Sequence, residues 1–401
     1  MFTNIDEAIE WISNKRNTGH KFETFKKLCF DLGNPQNDFY MIHVAGTNGK
    51  GSTVTYLRDL LMSQGYKVGT LQSPHYITHL DRIRVNNINI SEEIFLKILN
   101  DNLKLFIDNN LSMFEMDYLI MCDYFKMEKV DFAIVEVGIG GRLDATNVVD
   151  NTKLSIITTI GYDHMELLGD TLPLICKEKC GIIKDNSKIL TGYLDSECDE
   201  VVINEAKKHH AQYYKLGNYI DLGNRTFEYD NEVYQISSYA KYQLHNASLA
   251  LYAFKIIAQD YGFKIDIDKA KKALSKTTWP NRFEIVKQNP TVILDGAHNI
   301  HGIEATMNSF DLFKGSKCVI FSALKRKEYK KMIELISKHC DKLVITTFDN
   351  NGVIDLNDFK EYETNNDYVD AINRAIKEYD NVLICGSLYF LSDVVLNYKF
   401  S

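Results

Sequence analysis

Residues 45–53 read Ala45-Gly46-Thr47-Asn48-Gly49-Lys50-Gly51-Ser52-Thr53, directly after the apolar run FYMIHVA over 39–45. A strand, a glycine-rich turn and a helix start make a nest of inward-pointing N–H groups, and the helix dipole adds to its preference for anions. The chemistry on offer is therefore phosphate binding. Lys50 supplies a point charge for β- and γ-phosphate oxygens, and Ser52 or Thr53 a hydroxyl for phosphate or Mg2+. The strict G-x-x-x-x-G-K-[ST] pattern fails twice, because Val44 stands at its first glycine and Gly51 separates the lysine from the hydroxyl. That departure is unusual among kinases and GTPases.

Other residues with chemistry follow at the ends of apolar runs. Glu136 closes the run DFAIVEV and is followed by Gly138, Gly140 and Gly141. A carboxylate at the carboxyl edge of an α/β sheet faces the ligand crevice, and its hard oxygens suit Mg2+. A solvated or salt-bridged strand-end glutamate is the plainer alternative. Asp163-His164 follows LSIITTI, where a lone histidine is more often a structural hydrogen-bonder than a ligand. Lys179 reads as a surface lysine on a helix. Gln243 and Asn246 open a helical stretch and read equally as capping amides. Arg282, after Trp279-Pro280, offers a guanidinium able to clamp phosphates bidentately.

These residues need an alternating scaffold. Strand candidates over 39–45, 66–72, 131–137, 154–160 and 188–191 are separated by helical patterns over 52–64, 91–107, 116–128 and 171–180. This is the order of a mostly parallel sheet covered on both faces, so the N-terminal part is expected to be a phosphate-loop α/β domain. Tyrosine-rich alternation over 211–240 predicts an antiparallel hairpin insertion. Helices over 243–260 and 266–276 follow, and Trp279-Pro280-Asn281-Arg282 marks a stop and turn. Short strands at 291–294, 317–322, 342–347 and 381–385 then predict a second, smaller Rossmann-like α/β domain. The boundary is placed between 1–282, the nucleotide-binding domain, and 283–401, the C-terminal Rossmann-like domain.

Bulk properties narrow the class. A net charge of −8 argues against a nucleic-acid-binding surface, though a local basic pocket for an anion remains compatible with it. The eight cysteines show no paired zinc spacing and read as thiols in a reducing compartment. The acidic, amphipathic start lacks a basic segment followed by an apolar one, and no stretch approaches the ~18 apolar residues of a membrane span. A cytoplasmic protein without membrane partners is expected.

The motifs resemble the folylpolyglutamate synthase and dihydrofolate synthase branch of the Mur ligase superfamily. The resemblance begins at HVAGTNGKGS and continues in order along nearly the whole chain. It runs through Gln72-Ser73-Pro74-His75, Glu136-Val137-Gly138-Ile139-Gly140-Gly141-Arg142-Leu143-Asp144-Ala145-Thr146-Asn147, Gly161-Tyr162-Asp163-His164 and Glu178-Lys179-Cys180-Gly181-Ile182. It then takes in Trp279-Pro280-Asn281-Arg282, Asp295-Gly296-Ala297-His298-Asn299 and Gly386-Ser387-Leu388-Tyr389.

The resemblance implies ATP on residues 47–53, with one Mg2+ held by Ser73 and Glu136. It implies a second Mg2+ held by His164 and by Lys179, the latter as a carbamate formed with CO2. Potassium is a further ion on this reading. Asn246 is implied at the adenine end of ATP, and Asp295 and His298 at its ribose and phosphates. Lys327 matches a family lysine more weakly, because Arg326 stands where aspartate is usual. The segment 74–84, with Pro74, His75, Tyr76 and Arg82, together with Asp144, is implied to face the folate; Asp81 replaces a common glutamate there. Cys180 stands for a common alanine and Asn281 for a glycine. The implied reaction is ATP-dependent joining of L-glutamate to a folate or to dihydropteroate through an acyl phosphate, by a monomer. A peptidoglycan-type Mur ligase would place a further domain before the first strand, which here begins at residue 39. A kinase or GTPase would not need the His164/Lys179 pair. A non-catalytic regulator would bind nucleotide without releasing phosphate.

Overall fold

The structure, a computed structural model, describes residues 1–15 and 21–400. The chain forms two compact units, Met1–Tyr219 with Asn246–Ser275, and Ile220–His245 with Lys276–Ser401.

In the first unit the strands are β1 (Tyr40–Ala45), β2 (Val68–Leu71), β3 (Ile83–Val85), β4 (Ile88–Asn89), β5 (Phe132–Glu136), β6 (Leu154–Ile157), β7 (Lys188–Thr191) and β8 (Gln212–Lys215). Among the described residues they make one sheet in the order β4-β3-β2-β5-β1-β6-β7-β8. The strands from β2 to β8 in that order run parallel, and β3 and β4 add an antiparallel edge. Every residue of β2, β5 and β6 is buried. Continuous Val/Ile/Leu runs are what a sheet covered by helices on both faces requires. From β1 the chain crosses to one side, to β2; from β5 it crosses to the other, to β6. β1 thus sits where the strand order reverses, the position at which open α/β sheets bind ligands beyond their carboxyl ends.

The second unit holds a small antiparallel sheet of β9 (Ile220–Gly223), β10 (Thr226–Tyr229) and β11 (Glu232–Gln235). Its main sheet comprises β12 (Arg282–Gln288), β13 (Thr291–Asp295), β14 (Lys317–Phe321), β15 (Lys342–Thr346), β16 (Glu363–Asn365) and β17 (Asn381–Cys385). Their order is β12-β13-β17-β14-β15-β16, parallel except for β12. Side chains alternate between two cores: Ile293, Val319, Phe321, Leu383 and Cys385 enter one, and Val292, Leu294, Cys318, Ile320, Val382 and Ile384 the other. Period-two alternation with both faces apolar is how short VIL runs read when helices cover each side.

The expected hairpin over 211–240 is narrower than its sequence pattern. Gln212–Lys215 instead extends the parallel sheet as β8, where the Tyr213 hydroxyl meets Thr191 and Asp199 at 3.1 Å each. Alternation marks a strand but carries no information on its partner's direction. Gln243 and Asn246 are not caps, because their helix begins at Lys241. Asn281 adopts φ 55°, a left-handed conformation that asparagine tolerates nearly as glycine does, so the turn survives the loss of the usual glycine. Arg282 then opens β12 rather than ending a turn. No described helix is long and apolar enough to cross a membrane.

Candidate active site

The phosphate loop leaves β1 at Ala45 and enters the helix Lys50–Ser63 through Gly49 at φ +84°. That helix has no side-chain cap, whereas Ser91, Ser112 and Thr171 cap helices of the same unit with their hydroxyls. An uncapped N-terminus keeps its N–H groups available to an anion. The loop is fastened to the segment after β6. Thr47 N donates to Thr159 O (2.8 Å), Thr47 Oγ1 to Gly161 O (3.0 Å), Asn48 N to Thr159 Oγ1 (3.0 Å) and Thr158 Oγ1 to Asn48 O (2.6 Å). A Cβ on Gly46 would lie 1.9 Å from Thr158 Oγ1, and one on Gly49 would lie 2.5 Å from Asn246 Oδ1. Asn246, 4% exposed, therefore stands against the loop.

Lys50 Nζ donates to Gly46 O (3.0 Å) and Thr47 O (3.3 Å), curling over the loop it is expected to serve. Gly51, the residue that breaks the strict pattern, accepts from Gln72 Nε2 at 3.1 Å through its carbonyl. That bond ties the helix start to the end of β2. Ser52 and Thr53 are buried, and Thr53 Oγ1 has no hydrogen-bond partner.

Glu136 pairs with Val44 in register at the carboxyl edge of β5 and is 5% exposed, so it is not a solvated strand end. The glycine-rich segment after it packs on the end of the helix Leu172–Cys180, which carries Lys179. Arg142 N donates to Glu178 O (2.8 Å), and the Arg142 guanidinium holds Glu178 Oε1 (2.9 and 3.1 Å). Cβ atoms on Gly141 and Gly181 would fall 2.8 Å from Glu178 O and 2.4 Å from Arg142 Cα. The two backbones approach too closely for any side chain between them. Gly181→Ala is accordingly expected to displace the Lys179 helix end. Loss of stability of about 1–3 kcal/mol, read by urea denaturation, should come with a larger loss of activity.

Asp144 Oδ1 accepts from Thr146 N (3.0 Å) and Thr146 Oγ1 (2.6 Å), and its Oδ2 accepts from Ile139 N (2.9 Å). Thr146 Oγ1 in turn meets buried His43 Nε2 at 2.7 Å. Because the threonine proton is committed to the carboxylate, His43 donates through Nε2. Burial holds its pKa down at about 3, so the ring is neutral. Asp144 thus shapes the loop that follows Glu136.

Lys179 departs furthest from its plainest reading. It is 4% exposed, not a surface lysine. Among the described residues its Nζ has neither a hydrogen bond nor an ion pair. Burial first, and then the positive charge of Lys50, bring its pKa down to about 7, against the opposing pull of Asp163 and Asp144. Asp163 and His164 follow the Thr158–Thr159 anchors; His164 adopts φ 50° and its Nε2 lies 3.9 Å from Asp163 Oδ1. The same edge therefore brings together Lys50, Glu136, Asp163, His164 and Lys179. No group of three or more His, Cys, Asp and Glu side chains suited to a metal occurs among the described residues. Mg2+ does not need one, since it retains waters and takes one or two protein oxygens plus phosphates.

The segment after β2 starts with Ser73 and Pro74 and is organised by Asp81. Its carboxylate accepts from Tyr76 N (2.9 Å), Ile77 N (2.7 Å) and Thr78 N (3.1 Å). Pro74 is exposed, His75 and Tyr76 are half-buried, and Arg82 is buried. Asp81 also completes a capping box with Thr78 at the start of the short helical turn His79–Arg82.

In the second unit Asp295 is 2% exposed. Its Oδ2 accepts from Tyr242 Oη (2.5 Å), and its Oδ1 from Ala297 N (2.9 Å) and Thr306 Oγ1 (3.0 Å). Arg282 is paired in register with Asp295, and a Cβ on Gly296 would meet its Nη1 at 2.4 Å. His298 Nδ1 donates to Gly296 O (2.8 Å). Tyr242 is thus joined to this acidic turn. Lys327 lies beyond β14, in a turn held by its own N–H to Leu324 O (3.0 Å). Sequence reasoning missed the anchors Thr158 and Thr159, and Gln72 as a link between β2 and the phosphate helix. Their only local signal is position at a strand end.

A phosphate loop at the switch point of one α/β unit, in a chain that also carries a Rossmann-like second unit, is the build of a Mur-type ligase. Family models described as "Mur ligase middle domain" and "Mur ligase, glutamate ligase domain" match residues 44–256 and 281–388. A dihydrofolate synthase/folylpolyglutamate synthase of Bacillus subtilis is 35% identical, over 98% of this chain and 99% of its own. The apo folylpolyglutamate synthase of L. casei superposes with a TM-score of 0.86 at 25% identity, covering 98% of each chain. A folylpolyglutamate synthase structure with AMPPCP and folate superposes at 0.84 with 26% identity, again over 98% of each. The chain belongs to the dihydrofolate synthase/folylpolyglutamate synthase family.

Proposed function

We propose that this protein is an ATP-dependent ligase that adds L-glutamate to the glutamate carboxylate of tetrahydrofolates through an acyl phosphate. The observation that carries the reading is buried Lys179, without an ion pair, held beside Lys50 by the close Gly141–Gly181 packing. A kinase loop has no use for a second buried amine there. A neutral amine can add CO2, turning a cation into an anionic oxygen donor. The set Ser73, Glu136, His164 and carbamylated Lys179 would then hold two Mg2+ ions, which neutralise charge as phosphate and carboxylate approach.

On this reading the loop N–H groups and Lys50 hold the nucleotide's phosphates in line with the acceptor carboxylate, and Asn246 receives the adenine. Arg282, Asp295 and His298 serve the ribose and phosphates. Pro74, His75, Tyr76, Arg82 and Asp144 serve the folate. The chain's own contribution is positioning: the γ-phosphoryl group passes to the carboxylate, the amine of glutamate attacks the acyl carbon, and phosphate leaves. Excluding water protects the acyl phosphate from hydrolysis. We take the protein to be a cytoplasmic monomer that also uses potassium. The domains are assigned as nucleotide-binding over 1–282 and ligase over 283–401.

A second reading, joining of L-glutamate to dihydropteroate as well, is favoured by the two-activity name of the Bacillus relative. ATP-dependent incorporation of labelled glutamate, with tetrahydrofolate and dihydropteroate assayed separately in Mg2+, bicarbonate and K+, tests both. Absence of incorporation with either acceptor would overturn the ligase reading.

A further inference from the structure

Beneath the segment expected to cover the folate lies a buried ionic cluster that the reaction as described does not use. Asp117, on the helix Met113–Glu128, is 0% exposed. Its Oδ1 accepts from His79 Nε2 at 2.6 Å, and its Oδ2 stands 3.8 Å from Arg82 Nε, too far for a hydrogen bond. His79 is 3% and Arg82 4% exposed. His79 Nδ1, Arg82 Nε and Asp117 Oδ2 all lack hydrogen-bond partners. Burying a carboxylate with so few bonds is costly, and the same volume filled with apolar groups would be no less stable. A stability role therefore explains the cluster poorly. A positioning role explains it well, because Asp117 is the one carboxylate paired with Arg82 among the described residues. It leaves the guanidinium's donors uncommitted.

We propose that Asp117 is a positioning residue: through His79 and Arg82 it sets the conformation of residues 74–84 and aims Arg82 at an anionic or carbonyl group of the folate. This rests on the folate reading above. The segment's two other supports differ in kind. Asp81 ties its backbone, and Arg84, bonded to Asn89 at 2.8 Å, ties its far end. Among the described residues neither forms a hydrogen bond or ion pair with the Arg82 guanidinium, whereas Asp117 faces it.

The test compares Asp117→Ala and Asp117→Asn with the native enzyme in steady-state kinetics, varying the folate and ATP separately. Asp117→Ala should raise KM for the folate about 10-fold or more while KM for ATP stays within about 2-fold. Asp117→Asn, which keeps an acceptor for His79 but loses the charge that faces Arg82, should fall between. A merely structural residue would move both KM values together or, in a folded variant, neither; either result overturns the proposal. Should Asp117→Ala fail to fold, His79→Gln preserves a donor to Asp117 and should raise KM for the folate alone. Amide hydrogen exchange supplies a readout independent of the reaction. Peptides covering 74–84 should exchange faster in the variants than in the native chain, while those covering 46–53 do not change. Unchanged exchange over 74–84 overturns the positioning role even if the ligase reading fails on other grounds.

Discussion

Replacing Lys179 by alanine should lower the rate of glutamate incorporation on the order of 10³-fold, with nucleotide binding largely intact. The magnitude follows from what is lost. A carbamate at this position would supply oxygens where phosphate and carboxylate charges converge, and alanine supplies none. The pH dependence has a definite sign. Carbamate formation consumes the neutral amine, and the Lys179 pKa lies at about 7, below its ordinary value. Activation by bicarbonate should therefore grow as pH rises through about 7 and fade below it. Enzyme freed of CO2 should regain activity on adding bicarbonate, whereas Lys179→Ala should not. Stability should move the other way. A lysine whose folded pKa is depressed binds its proton more readily in the unfolded chain, so it destabilises the fold most below the folded pKa. In CO2-free buffer near pH 6, Lys179→Met should unfold at a higher temperature than the native protein. Full activity of Lys179→Ala would remove the carbamate from the mechanism.

Lys50→Met should be the next most damaging change, costing about 10²–10³-fold in kcat/KM for ATP. Two losses combine. The charge that reaches the β- and γ-phosphates disappears, and so does the repulsion that helps hold Lys179 neutral. Lys179 should consequently titrate at a higher pH, and half-maximal activation should need more bicarbonate at pH 7. Removing only the phosphate contact would leave the bicarbonate requirement unchanged, so bicarbonate titration separates the two contributions. Through its contacts with Gly46 O and Thr47 O, Lys50 Nζ also braces the loop, which Met cannot do. Nucleotide affinity measured by calorimetry should fall along with turnover.

The phosphate loop was legible from residues 45–53 alone because its requirements are local. A strand end, φ > 0 at Gly49 and a helix without a side-chain cap depend on neighbours in sequence. The α/β alternation was legible for a similar reason: buried parallel strands need unbroken apolar runs, and 131–137, 154–160 and 381–385 have them. Residues 212–215 show where this fails. Their alternation announced a strand, but pairing with β7 rather than with a hairpin partner is settled by what lies across from it. β12 was missed because Arg282–Gln288, with charge at Arg282, Glu284 and Lys287, has only one apolar neighbour on its flank. Polar contacts far apart in the chain, such as Asp117 with His79 and Arg82, leave no periodic trace at all.

Lys179 draws the line most clearly. Residue type and motif order were enough to single out which amine to examine, and a net charge of −8 argued against a nucleic-acid-binding surface. Whether that amine is solvated or buried could not be read locally, since its helix, Leu172–Cys180, carries charge at 177, 178 and 179 in succession. Burial comes from a long-range event, the packing of the Gly141–Arg142 backbone onto Gly181, which turns Lys179 toward Lys50 and leaves Glu178 to meet Arg142. A pKa is a property of surroundings, and the surroundings of Lys179 exist only after β1, β5 and β6 have aligned their ends.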